Sequence, residues 1–232
     1  MNSLALLGYG KMGKLLDELA PSAGFEVVAR FDSKSAPISS QSLAGAQVAI
    51  DFSTAGAVPA NVERLAELGV AMVVGTTGWS SERDRVRVAV ERARGALVFG
   101  ANFSVGVLAF YDVVEEAARR FASEEEYEAW AYEAHHRHKR DAPSGTLIEL
   151  LRTMERAGYA RPIDVACNRA GSIPGTHRIG FDSDADTITL EHVARSRVGF
   201  ARGALRAARW ILDRRPKLGG VFEFRDVWKE TL

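Results

Sequence analysis

Three histidines and three fixed cations crowd the fourteen residues Glu133-Ala-His-His-Arg-His-Lys-Arg-Asp-Ala-Pro-Ser-Gly-Thr146, which lead into an expected helix start. That many like charges call for an anionic guest. The imidazoles titrate near neutral pH, the Arg and Lys groups supply positive field, and Ser144-Gly145-Thr146 at a helix N-terminus offers backbone N–H groups. The combination suits proton donation to a carboxylate-bearing substrate. An imidazole, with an unperturbed pKa of about 6.5, is matched to that task. Lys139 as a flexible point charge and the amides of Gly145 and Thr146 would compensate carboxylate charge without adding bulk. Arg137, His138 and Arg140 are expected on a solvated edge. No metal is expected: the spacing is not H-E-x-x-H, no cysteine is near, and the adjacent cations repel a dication.

A second constellation lies at the start of the chain. Gly8-Tyr9-Gly10-Lys11-Met12-Gly13 is a G-x-G-x-x-G between an apolar run and a segment of helical period. Glycines there permit a tight turn, backbone approach to a pyrophosphate and close helix packing. Asp32, about 20 residues on, is placed to hydrogen-bond a ribose diol, while Lys34 is placed to meet a 2′-phosphate. Both NADH and NADPH are therefore expected as cofactors. Gly75-Thr76-Thr77-Gly78, Gly100-Ala101-Asn102-Phe103 and Asp51-Phe52-Ser53-Thr54 follow further expected strands, where ligands bind in open α/β sheets.

These loops need a scaffold, and the apolar pattern supplies one. Short runs at Leu4 to Leu7, Glu26 to Phe31, Val48 to Asp51, Val70 to Val74 and Leu97 to Phe99 read as strands. They alternate with helical periods at Met12 to Leu19, Val58 to Leu68 and Glu82 to Ala93. Such alternation predicts a parallel, doubly wound α/β sheet. From Phe103 the pattern changes to an apolar helix through Phe121 and a strand-like Glu128 to Glu133. A helix from Ser144 to Ala157 follows, then strands at Asp164 to Arg169, His177 to Asp182 and Thr187 to Ala194, and a helix from Phe200 to Leu212. This predicts a second, α+β domain with a mixed or antiparallel sheet. The expected division is a dinucleotide-binding domain over residues 1–103, joined by a tail at about 213–232, and a second domain over 104–212 for substrate binding, catalysis and oligomerisation. The stretch Arg215 to Gly220 reads as a turn, and Val221 to Val227 as a strand returning to the first domain.

With 30 Lys+Arg balancing 30 Asp+Glu, no overall field favours nucleic acid or an anionic membrane. No signal-peptide pattern or run of roughly 20 apolar residues is present. The lone Cys167 forms no internal disulfide, which fits a reducing compartment, and a cytoplasmic location is expected. Trp130 and Tyr132 share one face of a strand, a pattern suited to packing or a subunit interface. His192 reads as a packed or surface histidine, and Arg169 and His177 line a Gly-Pro loop.

Taken together, Gly10 to Gly13, Asp51 to Thr54, Gly75 to Trp79, Ala101 to Gly106, Glu133 to Lys139, Asp141 to Thr146 and Arg169 to His177 occur in an order that resembles the dihydrodipicolinate (4-hydroxy-tetrahydrodipicolinate) reductase family over nearly the whole chain. The resemblance implies a Rossmann-type domain for NADH or NADPH and a second domain for a small cyclic dicarboxylate. It implies reduction of that substrate in the diaminopimelate route to lysine, by a homotetramer. It further implies that His135 is the general acid or base and Lys139 the second catalytic group, with His136, Gly145 and Thr146 contacting substrate. Cofactor contacts are implied at Gly8, Tyr9, Gly10, Lys11, Met12, Gly13, Asp32, Gly75, Thr76, Thr77, Gly100, Ala101, Asn102 and Phe103. Two other readings compete: a related reductase of another carboxylated imine, aldehyde or cyclic substrate, and a nucleotide-sensing module without turnover. Retention of both His135 and Lys139 argues against the sensor.

Overall fold

The computed structural model describes residues 1–214 and 219–230, so the turn expected from Arg215 falls mostly outside the described residues. The chain divides into two compact units, residues 1–105 with 198–232, and residues 106–197.

The first unit is built on strands β1 (Asn2–Leu7), β2 (Phe25–Phe31), β3 (Val48–Asp51), β4 (Ala71–Val74) and β5 (Ala96–Phe99). Every residue of β3 and β4 is buried, as a parallel sheet covered on both faces requires. Helices α1 (Lys11–Leu19), α2 (Val58–Glu67) and α3 (Arg83–Arg92) are the crossovers. The buried set Val58, Val62, Leu65 and Ala66 in α2 follows the i, i+4, i+7, i+8 spacing of an amphipathic helix.

The second unit begins within α4 (Val105–Phe121), followed by β6 (Glu128–His135), α5 (Gly145–Arg156), β7 (Ile163–Arg169), β8 (Thr176–Asp182) and β9 (Thr187–Val193). Its sheet runs β7-β6-β8-β9 and is mixed: β7 is parallel to β6, while β8 and β9 pair antiparallel. Alternation on β6 buries Ala129, Ala131, Glu133 and His135 on one face and leaves Trp130 and Tyr132 half-exposed on the other. Phe121 stacks on Phe181 of the buried face, with ring centroids 4.5 Å apart. Trp130 lies over Gly180, where a Cβ would come within 2.1 Å of its indole.

The chain then returns to the first unit as α6 (Val198–Arg214), β10 (Gly220–Glu223) and α7 (Phe224–Glu230). β10 pairs parallel with β5, giving the six-stranded order β10-β5-β4-β3-β1-β2. Two details differ from the sequence expectation. The α6 helix, expected with the second domain, packs on α1, β3, β4 and β5 and so belongs to the first unit. The expected strand over Val221 to Val227 ends at Glu223. Beyond it Phe224 and Val227, three residues apart, are buried on one face of a helix.

Candidate active site

On the first unit, the loops singled out in the sequence come together at the carboxyl edge of the parallel sheet. Gly8 has φ +87°, and a Cβ there would sit 2.3 Å from the Phe52 carbonyl oxygen. A Cβ on Gly13 would sit 2.5 Å from the Gly8 carbonyl oxygen. Gly8 is thus demanded by its positive φ and by the close approach of the backbone after β3, and Gly13 by the packing of α1 on the turn that follows β1. Gly10 is different: it is exposed, with nothing within 4 Å of its would-be Cβ. No side chain caps the start of α1, so its dipole and first-turn amides suit an anion. Tyr9 donates its hydroxyl to Asp17, which also accepts two bonds from Arg30 at 2.7 Å. Lys11 is exposed and Met12 half-buried.

Asp32, just past β2, is exposed and accepts from the Lys34 amide at 2.8 Å and the Ser35 hydroxyl at 3.0 Å. Those bonds, the Lys34 amide first, hold its carboxyl below the usual range. It is an ionised acceptor. Asp51, only 2% exposed at the end of β3, accepts from the Ser53 amide at 2.7 Å, Asn61 Nδ2 at 2.8 Å and Thr76 Oγ1 at 3.0 Å. One buried carboxylate therefore braces the loops after β3 and β4. Gly75 lies against the Phe52 ring, Thr76 is half-buried and Thr77 exposed. Ala101 is exposed, while Asn102 accepts from the Ser104 amide at 2.8 Å. The Phe103 side chain is buried against Phe224 and Phe52, so it is core.

On the second unit, β6 ends at His135, which is 7% exposed. The next residues turn sharply, the Lys139 amide donating to the His136 carbonyl at 3.0 Å. Lys139 Nζ is 2.8 Å from both oxygens of Asp141. Arg137, His138 and Arg140 are exposed and His136 is half-buried. Ser144 caps α5: its hydroxyl accepts from the Leu147 amide at 3.2 Å, as its sequence position before an apolar-periodic run suggests. Gly145 and Thr146 form the first turn of that helix, and Gly145 is exposed with open space at its Cβ position.

Beneath these groups lies Glu133, fully buried. Its Oε1 accepts from the Ser144 amide at 3.0 Å and from Arg169 at 2.6 Å. Burial pushes its carboxyl up, but the hydrogen bonds from Ser144 and Arg169 outweigh that and hold it below the usual range. His135 is shifted down, first by burial, with Lys139 and Arg169 adding to the shift and Glu133 opposing it. His177, across the sheet on β8, is pushed down to about 4 by burial and by His135, again against Glu133. Glu133, His135 and His177 bring three ligand-type atoms within 4.8 Å of one another. Arg169, bonded to the same carboxylate, already supplies the positive charge a dication would bring. His192 is half-buried against Phe110.

Sequence reasoning gave no role to Glu133 and left Arg169 and His177 to a loop. An i, i+2 pair on an expected strand would have put Glu133 and His135 on one face. The register that adds Arg169 and His177 is tertiary.

The chain matches two family models, "Dihydrodipicolinate reductase, N-terminus" over residues 2–103 and "Dihydrodipicolinate reductase, C-terminus" over residues 106–228. A 4-hydroxy-tetrahydrodipicolinate reductase from Christiangramia forsetii is 32% identical over 97% of this chain and 97% of its own. One from Archaeoglobus fulgidus is 36% identical over 87% of this chain and 90% of its own. In three dimensions the chain is similar to a dipicolinate-bound dihydrodipicolinate reductase from Paenisporosarcina sp. TG-14, with a TM-score of 0.78, 19% identity, and 98% and 99% of the two chains covered.

Proposed function

The chain belongs to the dihydrodipicolinate reductase family, and from that premise we propose that it reduces 4-hydroxy-tetrahydrodipicolinate to tetrahydrodipicolinate with NAD(P)H, in the diaminopimelate route to lysine. In net terms the substrate hydroxyl departs as water while a hydride and a proton enter. The observation that carries the reading is the grouping at the end of β6 of a buried imidazole, a lysine-bearing turn and the start of α5, in a chain whose two halves both match the family.

A reduced nicotinamide bound on the first unit supplies the hydride. The residues present fit such a group: Gly10 leaves backbone open to approach, the uncapped start of α1 meets the pyrophosphate, and Asp32 accepts from the ribose hydroxyls. Gly8 to Gly13, Gly75 to Thr77 and Gly100 to Phe103 line that site, with Phe103 limited to its backbone. Lys34 beside Asp32 answers a 2′-phosphate, so both NADH and NADPH are accepted.

On the second unit, Lys139 exchanges Asp141 for a substrate carboxylate, and the amides of Gly145 and Thr146 take the other. His136 completes the contact. His135 donates the proton that quenches the reduced ring. A bound dianion raises its pKa while burial and Lys139 lower it, so the proton is held loosely enough to leave. The enzyme acts as a cytoplasmic homotetramer.

The test follows NAD(P)H absorbance with freshly made aspartate semialdehyde–pyruvate condensation product. Turnover is expected. His135→Gln should lower kcat about 100-fold or more with a smaller change in KM. Oxidation with another imine or aldehyde but not this product would select the related reductase, and cofactor binding without turnover would select the sensor.

A further inference from the structure

The Glu133 carboxylate is the junction of every element that carries a proposed substrate-side group. Through Oε1 it holds the Ser144 amide, hence the start of α5, and Arg169 Nη2. The same Nη2 donates to the Asp141 carbonyl at 2.6 Å, fastening the turn that carries Lys139. Its other oxygen, Oε2, is buried without a hydrogen-bond partner, and so is Nδ1 of His135, 3.7 Å away. A buried acceptor and a buried donor left unmade each cost about 1–3 kcal/mol. A shift of under about 1 Å would join them, and catalytic hydrogen bonds are often long before ligand binds.

His177 Nε2 is also near Oε2, at 3.6 Å, but it lies 3.2 Å from the Ser144 hydroxyl. In the tautomer where that hydroxyl donates to the neutral His177 ring, Nε2 has no proton for Glu133, and the donors facing the carboxylate are His135 Nδ1 and the Cys167 thiol, which also hydrogen-bonds Glu133. On the far side of the His135 ring, Nε2 faces Gly175, where a Cβ would sit 3.2 Å away. The missing side chain keeps that nitrogen open.

We propose that Glu133 is a positioning residue for proton donation: its Oε2 holds the Nδ1–H of His135, so that Nε2 is the atom that carries the proton to substrate. This deepens the reading of His135 as the acid and rests on it. The charged and titratable groups around the ring and its carboxylate are Glu133 on its own strand, Lys139 and Asp141 from the turn, Arg169 and the Cys167 thiol from β7, and His177 from β8. Among them Glu133 is the one anion that shares the buried face.

Glu133→Gln isolates the effect. Its amide oxygen can replace Oε1 toward Ser144 and Arg169, while its NH2 meets Nδ1 and forces that atom to accept. The neutral ring then carries its proton on Nε2 and resists a second one. We expect kcat to fall about 10- to 100-fold, with KM changed far less. The alkaline fall-off of kcat/KM should move to lower pH by about one unit, and Glu133→Asp should restore its position. In 15N-histidine-labelled protein above that pH, the ring of His135, assigned by its loss in His135→Gln, should carry its proton on Nδ1. Glu133→Gln should carry it on Nε2. Adding Glu133→Gln to His135→Gln should cost little further kcat.

A wild-type His135 protonated on Nε2, or a Glu133→Gln variant whose tautomer and pH limb match wild type, overturns the proposal. Wild-type turnover in His135→Gln overturns instead the assignment of the acid, which separates the two failures. If Glu133→Gln loses fold, shown by thermal unfolding and NAD(P)H binding, Glu133→Asp decides. A wild-type limb position and Nδ1–H in that variant support the proposal, and a wild-type His135 that carries its proton on Nε2 overturns it.

Discussion

His177 pays for its place beside Glu133 with its basicity. An ordinary histidine in the unfolded chain titrates near 6.5, whereas this one, buried and near His135, protonates only at about 4. Above pH 6.5 both states are neutral and the group contributes nothing to pH dependence. As pH falls below 6.5 the unfolded chain gains a proton that the native state refuses, so stability is lost progressively until about pH 4. Between pH 7 and 5 that loss amounts to about 2 kcal/mol, a drop in Tm of about 4–8 °C for a chain of this size. His177→Gln should flatten the slope over that window in thermal unfolding; an unchanged slope would show that His177 titrates normally. His135 acts in the same direction, more weakly. Little of this was legible in the sequence. The histidine run announced itself by charge density, but the depth of His177 and the anion beneath His135 depend on strand register. That register joins Glu133 to His177 and to Cys167 from segments more than 30 residues apart.

At the level of elements, the β1–α1 turn separates two reasons for a glycine. Gly8→Ala brings a Cβ into the Phe52 carbonyl from a positive φ, and should cost about 1–3 kcal/mol of stability as well as NAD(P)H affinity. Gly10→Ala meets no protein atom, so it should leave Tm unchanged yet weaken NAD(P)H binding at least tenfold, as read by a fluorescence titration. Wild-type binding by Gly10→Ala would place the pyrophosphate elsewhere. The elements themselves were readable, because buried parallel strands write continuous apolar runs and their crossovers write a 3.6-residue period. The expected bounds of β3, 48 to 51, coincide with the observed ones. The reading went wrong where a short apolar segment fits either period, at Val221 to Val227. It also misplaced α6, whose own face is apolar but whose partners are a matter of topology.

For the whole molecule, the half-exposed face of the mixed sheet is the place where assembly can be tested. Trp130, Tyr132 and Val193 occupy that face, and Val193 is 52% exposed. A homotetramer predicts four chain masses by light scattering, and Val193→Asp should shift the population to smaller species with little change within a protomer. A wild-type mass for the variant would move the interface elsewhere. Among the described residues no helix is long and apolar enough to cross a membrane.

The parallel sheet has one more consequence, for synthesis. Its sixth strand comes from residues 220–223, after the entire second unit has been made, and it covers the edge of β5. A ribosome must therefore deliver a nascent chain whose amino-terminal half waits with a bare edge while residues 106–197, contiguous in sequence, are already able to close. Arrested chains ending at Arg197 should yield to protease in the first unit and resist it in the second.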